Sequence, residues 1–172
     1  ADFKWNYLIA GFVLGAGAVA YFVATFVGGY LVQHWGAKPT LLFGLVLDVI
    51  GLSFFATTPD PLTNILLSAL IGIGQGAIEI TINWSTLRID SKNSGRPMNL
   101  MHGAFAIGAI LGPMAVGALI QSGLGWTIVF RGMAGIFVLL TAVMVFTPLA
   151  LAAHKMGDDA PAPERLSKHP AY

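Results

Sequence analysis

Long apolar runs separated by short polar breaks organise this chain from end to end. No charged residue occurs between Trp5 and Gln33, a stretch that holds Gly11, Gly15 and Gly17. Further runs cover 40–56, where Asp48 is the one charged residue, and 62–87, which contains Glu79. Two more cover 97–121 and 126–153. A membrane helix needs about 20 apolar residues, because the hydrocarbon core is ~30 Å thick and each residue rises ~1.5 Å. The pattern therefore predicts an all-α integral membrane protein, with transmembrane helices at 5–33, 40–56, 62–87, 97–121 and 126–153 forming one bundle over 1–153.

The breaks carry turn chemistry. His34-Trp35-Gly36-Ala37-Lys38-Pro39, Thr57-Thr58-Pro59-Asp60-Pro61 and Ser122-Gly123-Leu124-Gly125 are short and rich in glycine or proline. The longest, Arg88 to Arg96, includes Asp90, Lys92 and Asn93. Residues 154–172 are polar and proline-rich, which predicts a disordered tail.

Composition strengthens the membrane reading. Of 172 residues, 56% are hydrophobic and 10% charged, against about 25% charged in a soluble domain. A soluble enzyme, a disordered chain and a nucleic-acid binder are excluded on these grounds. The formal net charge is +1, with no basic tract to follow phosphates. Without cysteine there is no disulfide, iron–sulfur cluster or thiolate zinc site. No paired-histidine metal motif, phosphate loop or Ser-His-Asp set occurs, so neither enzyme activity nor a cofactor or metal is expected.

Charge also suggests an orientation. Lys38 lies in the first break, Arg88, Lys92 and Arg96 in the third, and Lys155, Arg165 and Lys168 after the last run. Basic loops stay in the cytoplasm. The expected location is the plasma membrane, the inner one in a bacterium, with the N-terminus outside and the C-terminus inside.

Membrane helices associate through small residues and interhelical hydrogen bonds. Gly11/Gly15, Gly72/Gly76 and Gly108/Gly112 are each spaced by four, which predicts close helix packing at those faces. Pro113 is expected to bend or locally break its helix.

The acids inside the membrane are the informative residues. Glu79 lies nine residues before Arg88, roughly 14 Å from that helix end. An ionised carboxylate at such depth is costly, so it is protonated, paired or facing water. Gln75, Glu79 and Asn83 are spaced by four and form one polar stripe, the expected wall of a hydrated cavity. Asp48 stands alone among Val, Leu and Ile; it is a secondary candidate for the site, with an interhelical hydrogen bond the favoured role. His102, with Asn99 three residues earlier, is a secondary candidate for packing, proton transfer or axial ligation of a pigment or haem.

Two stretches bear a resemblance. Gly28-Gly29-Tyr30-Leu31-Val32-Gln33-His34-Trp35-Gly36-Ala37-Lys38 resembles the signature loop between helices two and three of the major facilitator superfamily, roughly G-x-L-x-D-R-x-G-R-K. Gly29, Leu31, Gly36 and Lys38 match. Gln33, His34 and Ala37 replace the acid and two basic residues. The segment from Gly72 through Gln75, Gly76 and Glu79 to Asn83, followed by Arg96-Pro97-Met98-Asn99-Leu100-Met101-His102 and Gly108 through Gly112-Pro113, is similar to the fucose-permease-like branch. The resemblance implies helices two to six of an N-terminal half, with the Glu79 position serving proton coupling or substrate contact and the Asn83 position facing the cavity.

Two functions follow as expectations. One is a secondary transporter present as an incomplete half, moving a small polar solute such as a sugar with protons coupled through Glu79, while Gln75 and Asn83 hydrogen-bond the solute. The other is a transporter-derived accessory subunit of a photosynthetic or respiratory membrane complex. Either reading makes the lipid bilayer the first partner and calls for further helices or other membrane subunits. Neither involves nucleic acid.

Overall fold

A computed structural model describes residues 3–90 and 94–147. The expected tail at 154–172, the last part of the fifth span up to 153, and Lys92 and Asn93 lie outside the described residues. Five helices occupy the described chain: α1 (Tyr7–Trp35), α2 (Ala37–Phe54), α3 (Pro61–Ile89), α4 (Arg96–Gln121) and α5 (Trp126–Phe146). Each is long and apolar enough to cross a membrane. The protein is all-helical over these residues, as the long apolar runs require.

Local chemistry sets the helix ends, often a few residues from the edge of the apolar run. Asn6 stays extended and its side chain accepts the Ile9 N–H at 2.8 Å, so α1 starts at Tyr7 rather than at 5. Gly36 takes φ 89°, a conformation few other residues adopt, and its N–H closes on the Val32 carbonyl at 3.0 Å. α2 then starts at Ala37, because the Gly36 carbonyl also accepts the Thr40 hydroxyl at 2.9 Å. It ends at Phe54 rather than 56, since Ala56 has φ 59° and turns the chain. α3 starts at Pro61 behind Asp60, whose carboxylate accepts the Thr63 hydroxyl at 2.6 Å and the Thr63 N–H at 2.7 Å. Those bonds hold the Asp60 carboxyl below its ordinary range.

The α2–α3 turn is built on Asn64, fully buried. Its amide donates to the Thr58 and Asp60 carbonyls at 2.8 and 2.7 Å, and its oxygen accepts the Ala56 N–H at 2.8 Å. In the α3–α4 turn, Asp90 accepts from the Ser94 hydroxyl at 2.9 Å and the Gly95 N–H at 2.6 Å. α4 runs unbroken through Pro113 to Gln121, so of the bend or local break expected at the proline, the break does not occur.

α3 is the axis of the bundle. It packs along α1 and α2 and touches α4, while α5 rests mainly on α2. Glycine makes the α1–α3 seam close. A methyl on Gly72 would collide with the Gly17 carbonyl, and one on Gly76 would meet the Ala24 methyl and the Tyr21 carbonyl, both at 2.8 Å. At the α2–α3 crossing, a methyl on Gly44 would lie 2.7 Å from the Gly74 carbonyl, and one on Gly74 the same distance from the Gly44 carbonyl.

The expected packing at Gly108 and Gly112 is not found. Nothing in the described structure lies within 4 Å of where their side chains would begin, and Gly11 and Gly15 are equally open. The reason is geometric: α4 buries none of its residues and stands off the bundle, so glycine spacing there meets no opposing helix among the described residues.

Aromatic and basic groups mark the two ends. At one, the Trp5 indole donates to the Pro59 carbonyl at 2.9 Å, and Phe3, Trp126 and Phe130 pack edge to face. At the other, Arg88 lies 4.8 Å over the Trp84 ring, and the Lys38 ammonium donates to the Val145 and Thr147 carbonyls, both at 2.8 Å. Such amphipathic rings sit at membrane–water interfaces.

Candidate functional site

Because α4 stands away from α1 and α3, a cavity of about 1040 Å³ opens between them. That volume is at the upper end of small-molecule sites. The polar stripe of α3 forms its central wall: Gln75, Glu79 and Asn83 all line it, as their spacing of four dictates. Gly72 continues the same wall, where the absence of a side chain lets α1 approach.

Beside α3 on the same side of the cavity, α1 contributes Tyr21. Its hydroxyl donates to Glu79 Oε2, joining two helices through the one acid of the stripe. Tyr21 did not stand out in the sequence, where it is one aromatic residue in a long apolar run. A hydroxyl near the middle of a charge-free span was the available signal, since a phenolic O–H seeks a partner in lipid.

The facing wall comes from α4, with Met101, His102 and Phe105, and α5 adds Phe137. His102 and Asn99 do not act together. His102 lines the main cavity, whereas Asn99 faces a separate hollow beside Arg96 and Leu100. The i, i+3 offset leaves the two side chains about 60° apart around the helix, enough to divide them between hollows.

Asn83 offers an unused acceptor. Its Oδ1 is buried and has no hydrogen-bond partner among the described residues. Asp48 of α2 lies at the cavity wall too, but sealed, and neither carboxyl oxygen has a partner among the described residues. The interhelical hydrogen bond expected of it is absent, because the residue opposite is Gly74, which has no side chain to offer.

The electrostatic balance of the cavity is one-sided. Among the described residues its acids are Glu79 and Asp48, its imidazole is His102, and no lysine or arginine lines it. Such a wall suits protons, cations and neutral hydrogen-bonding solutes, and disfavours anions. No group of three or more metal-ligating side chains occurs among the described residues.

The signature-loop residues have separate duties. Gly36 makes the α1–α2 turn, Gly29 meets nothing within 4 Å, and Lys38 binds the carbonyls at the end of α5. A cation at a helix C-terminus is favoured by the helix dipole. Lys38 thus holds the loop to the bundle even though Gln33 replaces the acid of the pattern.

Comparison with known proteins agrees with this architecture. A family model described as Major Facilitator Superfamily matches residues 1–171. An uncharacterized MFS-type transporter of Yersinia pestis is 24% identical over 127 residues, covering 74% of this chain and 31% of that protein. The chain spans about a third of the length of this relative. No solved structure matches the chain. Five membrane-crossing helices and a family match along almost the whole sequence place this chain in the major facilitator superfamily of membrane transporters.

Proposed function

We propose that these helices form one wall of a proton-coupled secondary transporter for a small polar solute, with neutral sugars as the favoured class. The observation that carries this reading is Glu79 in the cavity wall, hydrogen-bonded by Tyr21 of the adjacent helix α1 and flanked by Gln75 and Asn83. Glu79 takes up and releases the coupling proton. Gln75 and Asn83, which both line the cavity, hydrogen-bond the solute. The absence of lysine and arginine from the wall speaks for a neutral rather than an anionic solute. Likeness of the Gly72-to-Asn83 and Arg96-to-Pro113 stretches to fucose-permease-like transporters supports the choice of sugars.

Further helices complete the cavity on the open side of α4, as two facing halves do in secondary transporters. The end bearing Lys38, Arg88 and Arg96 faces the cytoplasm of a plasma membrane, by the distribution of basic residues. The test is accumulation of labelled monosaccharides in vesicles carrying the full-length protein under an imposed proton gradient. A Glu79→Gln variant should bind and exchange the same sugar yet fail to concentrate it. Undiminished accumulation by that variant would remove Glu79 from the coupling step.

A further inference from the structure

Asp48 presents a problem that transport through Glu79 does not solve. It is 0% exposed, and both its oxygens lack partners among the described residues. An isolated ionised carboxylate in such surroundings is far costlier than its neutral form. No ion pair among the described residues relieves it. On its own helix the other charged residue is Lys38, engaged with the end of α5. From α3 the nearest titratable group is Glu79, already bonded by Tyr21 of α1, and α4 contributes His102 across the cavity. The charged residue of α5, Arg131, is exposed and does not line the cavity.

The geometry of the α2–α3 crossing shows what would relieve it. A methyl built on Gly74 would sit 2.8 Å from Asp48 Oδ1 and 2.7 Å from the Gly44 carbonyl oxygen. The Gly44 carbonyl oxygen and Asp48 Oδ1 thus flank one point beside Gly74, and no donor to the carboxyl is found among the described residues. Gly44 is one turn before Asp48 on α2, where a side-chain O–H can donate to the carbonyl four residues back. A proton on the carboxyl would supply the missing donor, with the Gly44 carbonyl one turn back as its acceptor. The pocket at the carboxyl admits nothing larger, since its oxygens are closed to water.

We propose that Asp48 is a second proton-binding site at the cavity wall, holding the neutral acid against the Gly44 carbonyl so that closure of the α2–α3 crossing requires a bound proton. Its part in coupling rests on the transporter reading; the protonation does not. Loss of the proton leaves a carboxylate facing Gly74 and the Gly44 carbonyl, and the crossing must open to admit water. The Asp48 site is thereby set apart from Glu79, which is open to the cavity and already has a donor.

Infrared spectroscopy of the full-length protein in bilayers near neutral pH reads this without any solute. In a Glu79→Gln background, a protonated-carboxyl carbonyl band that shifts in D2O should persist, and adding Asp48→Asn should remove it. If that double variant does not fold, aspartate labelled with carbon-13 at the carboxyl should shift the band in the Glu79→Gln protein. A band that neither the substitution nor the label affects would overturn the proposal. Hydrogen exchange across 44–52, corrected for its intrinsic pH dependence, should rise over the pH range in which the band disappears. Exchange that stays flat while the band is lost would overturn the link to the crossing. A failed sugar-uptake assay leaves both infrared outcomes readable, so the two proposals fail separately.

Discussion

The Tyr21 hydroxyl donates to Glu79 across the α1–α3 seam, so the one acid of the polar stripe is tied to a helix 58 positions earlier in sequence. The bond crosses the place where Gly72 and Gly76 bring the two backbones together. Packing and candidate chemistry therefore depend on each other. A wider seam would carry the phenol away from the carboxyl.

Tyr21→Phe removes the donor while keeping the ring. A hydrogen bond to a charged group contributes about 1.5–3 kcal/mol, or roughly a tenfold effect or more. The variant should fold and reach the membrane in normal amounts, and the pH profile of uptake should move relative to wild type. An identical pH profile would show that the bond has no part in the proton step.

Gly72→Ala and Gly108→Ala separate packed from open glycines. The first places a methyl against the Gly17 carbonyl and should lower the melting temperature of the detergent-solubilised protein, an overpacking cost of about 1–3 kcal/mol. The second meets nothing within 4 Å in the described structure and should be neutral or slightly stabilising through helix propensity. Equal effects from the two would contradict the seam described here.

Lys38→Gln tests the clasp on α5. Without the ammonium, the carbonyls of Val145 and Thr147 lose a charged donor, at a cost of about 0.3–1 kcal/mol for a helix C-terminus. Amide exchange should quicken in the last turn of α5 and remain unchanged in α1. Protection that is unaltered in that turn would show the clasp to be dispensable.

Asp60 gives a pH dependence of known sign. Its carboxyl titrates below the ordinary value of 3.8 because Thr63 donates to it through hydroxyl and backbone N–H. The cap's contribution is complete above the unfolded value and is lost as pH falls through the lower folded one. Between about pH 5 and pH 2 the melting temperature of the wild-type protein should fall more steeply than that of Asp60→Asn. Parallel curves would show that the cap does not contribute.

How much of this was legible in the sequence depends on the range of the interaction. Five helices follow from long apolar runs, because lipid obliges the backbone to satisfy itself locally. The stripe of Gln75, Glu79 and Asn83 follows from a period set by one helix. Gly36 and Ala56 moved helix ends by a few residues, because turn conformation depends on φ rather than on hydropathy. Tyr21 was hidden since its meaning comes from a partner on another helix. The spacing of Gly108 and Gly112 matched that of Gly72 and Gly76, yet one pair meets no neighbour and the other a backbone. Spacing alone does not say which face is covered. Asp48 was expected to bond across helices, and only the fold reveals a glycine where its partner would have been.

The central claim, that Glu79 couples proton movement to a small polar solute, is tested most directly by recording pH outside lightly buffered vesicles that contain the full-length protein. Adding a panel of neutral monosaccharides should raise the external pH for those that are carried, as protons enter with the sugar. In Glu79→Gln vesicles the same sugars should still exchange while the pH trace stays flat. A pH rise of equal size in the Glu79→Gln vesicles would contradict the account.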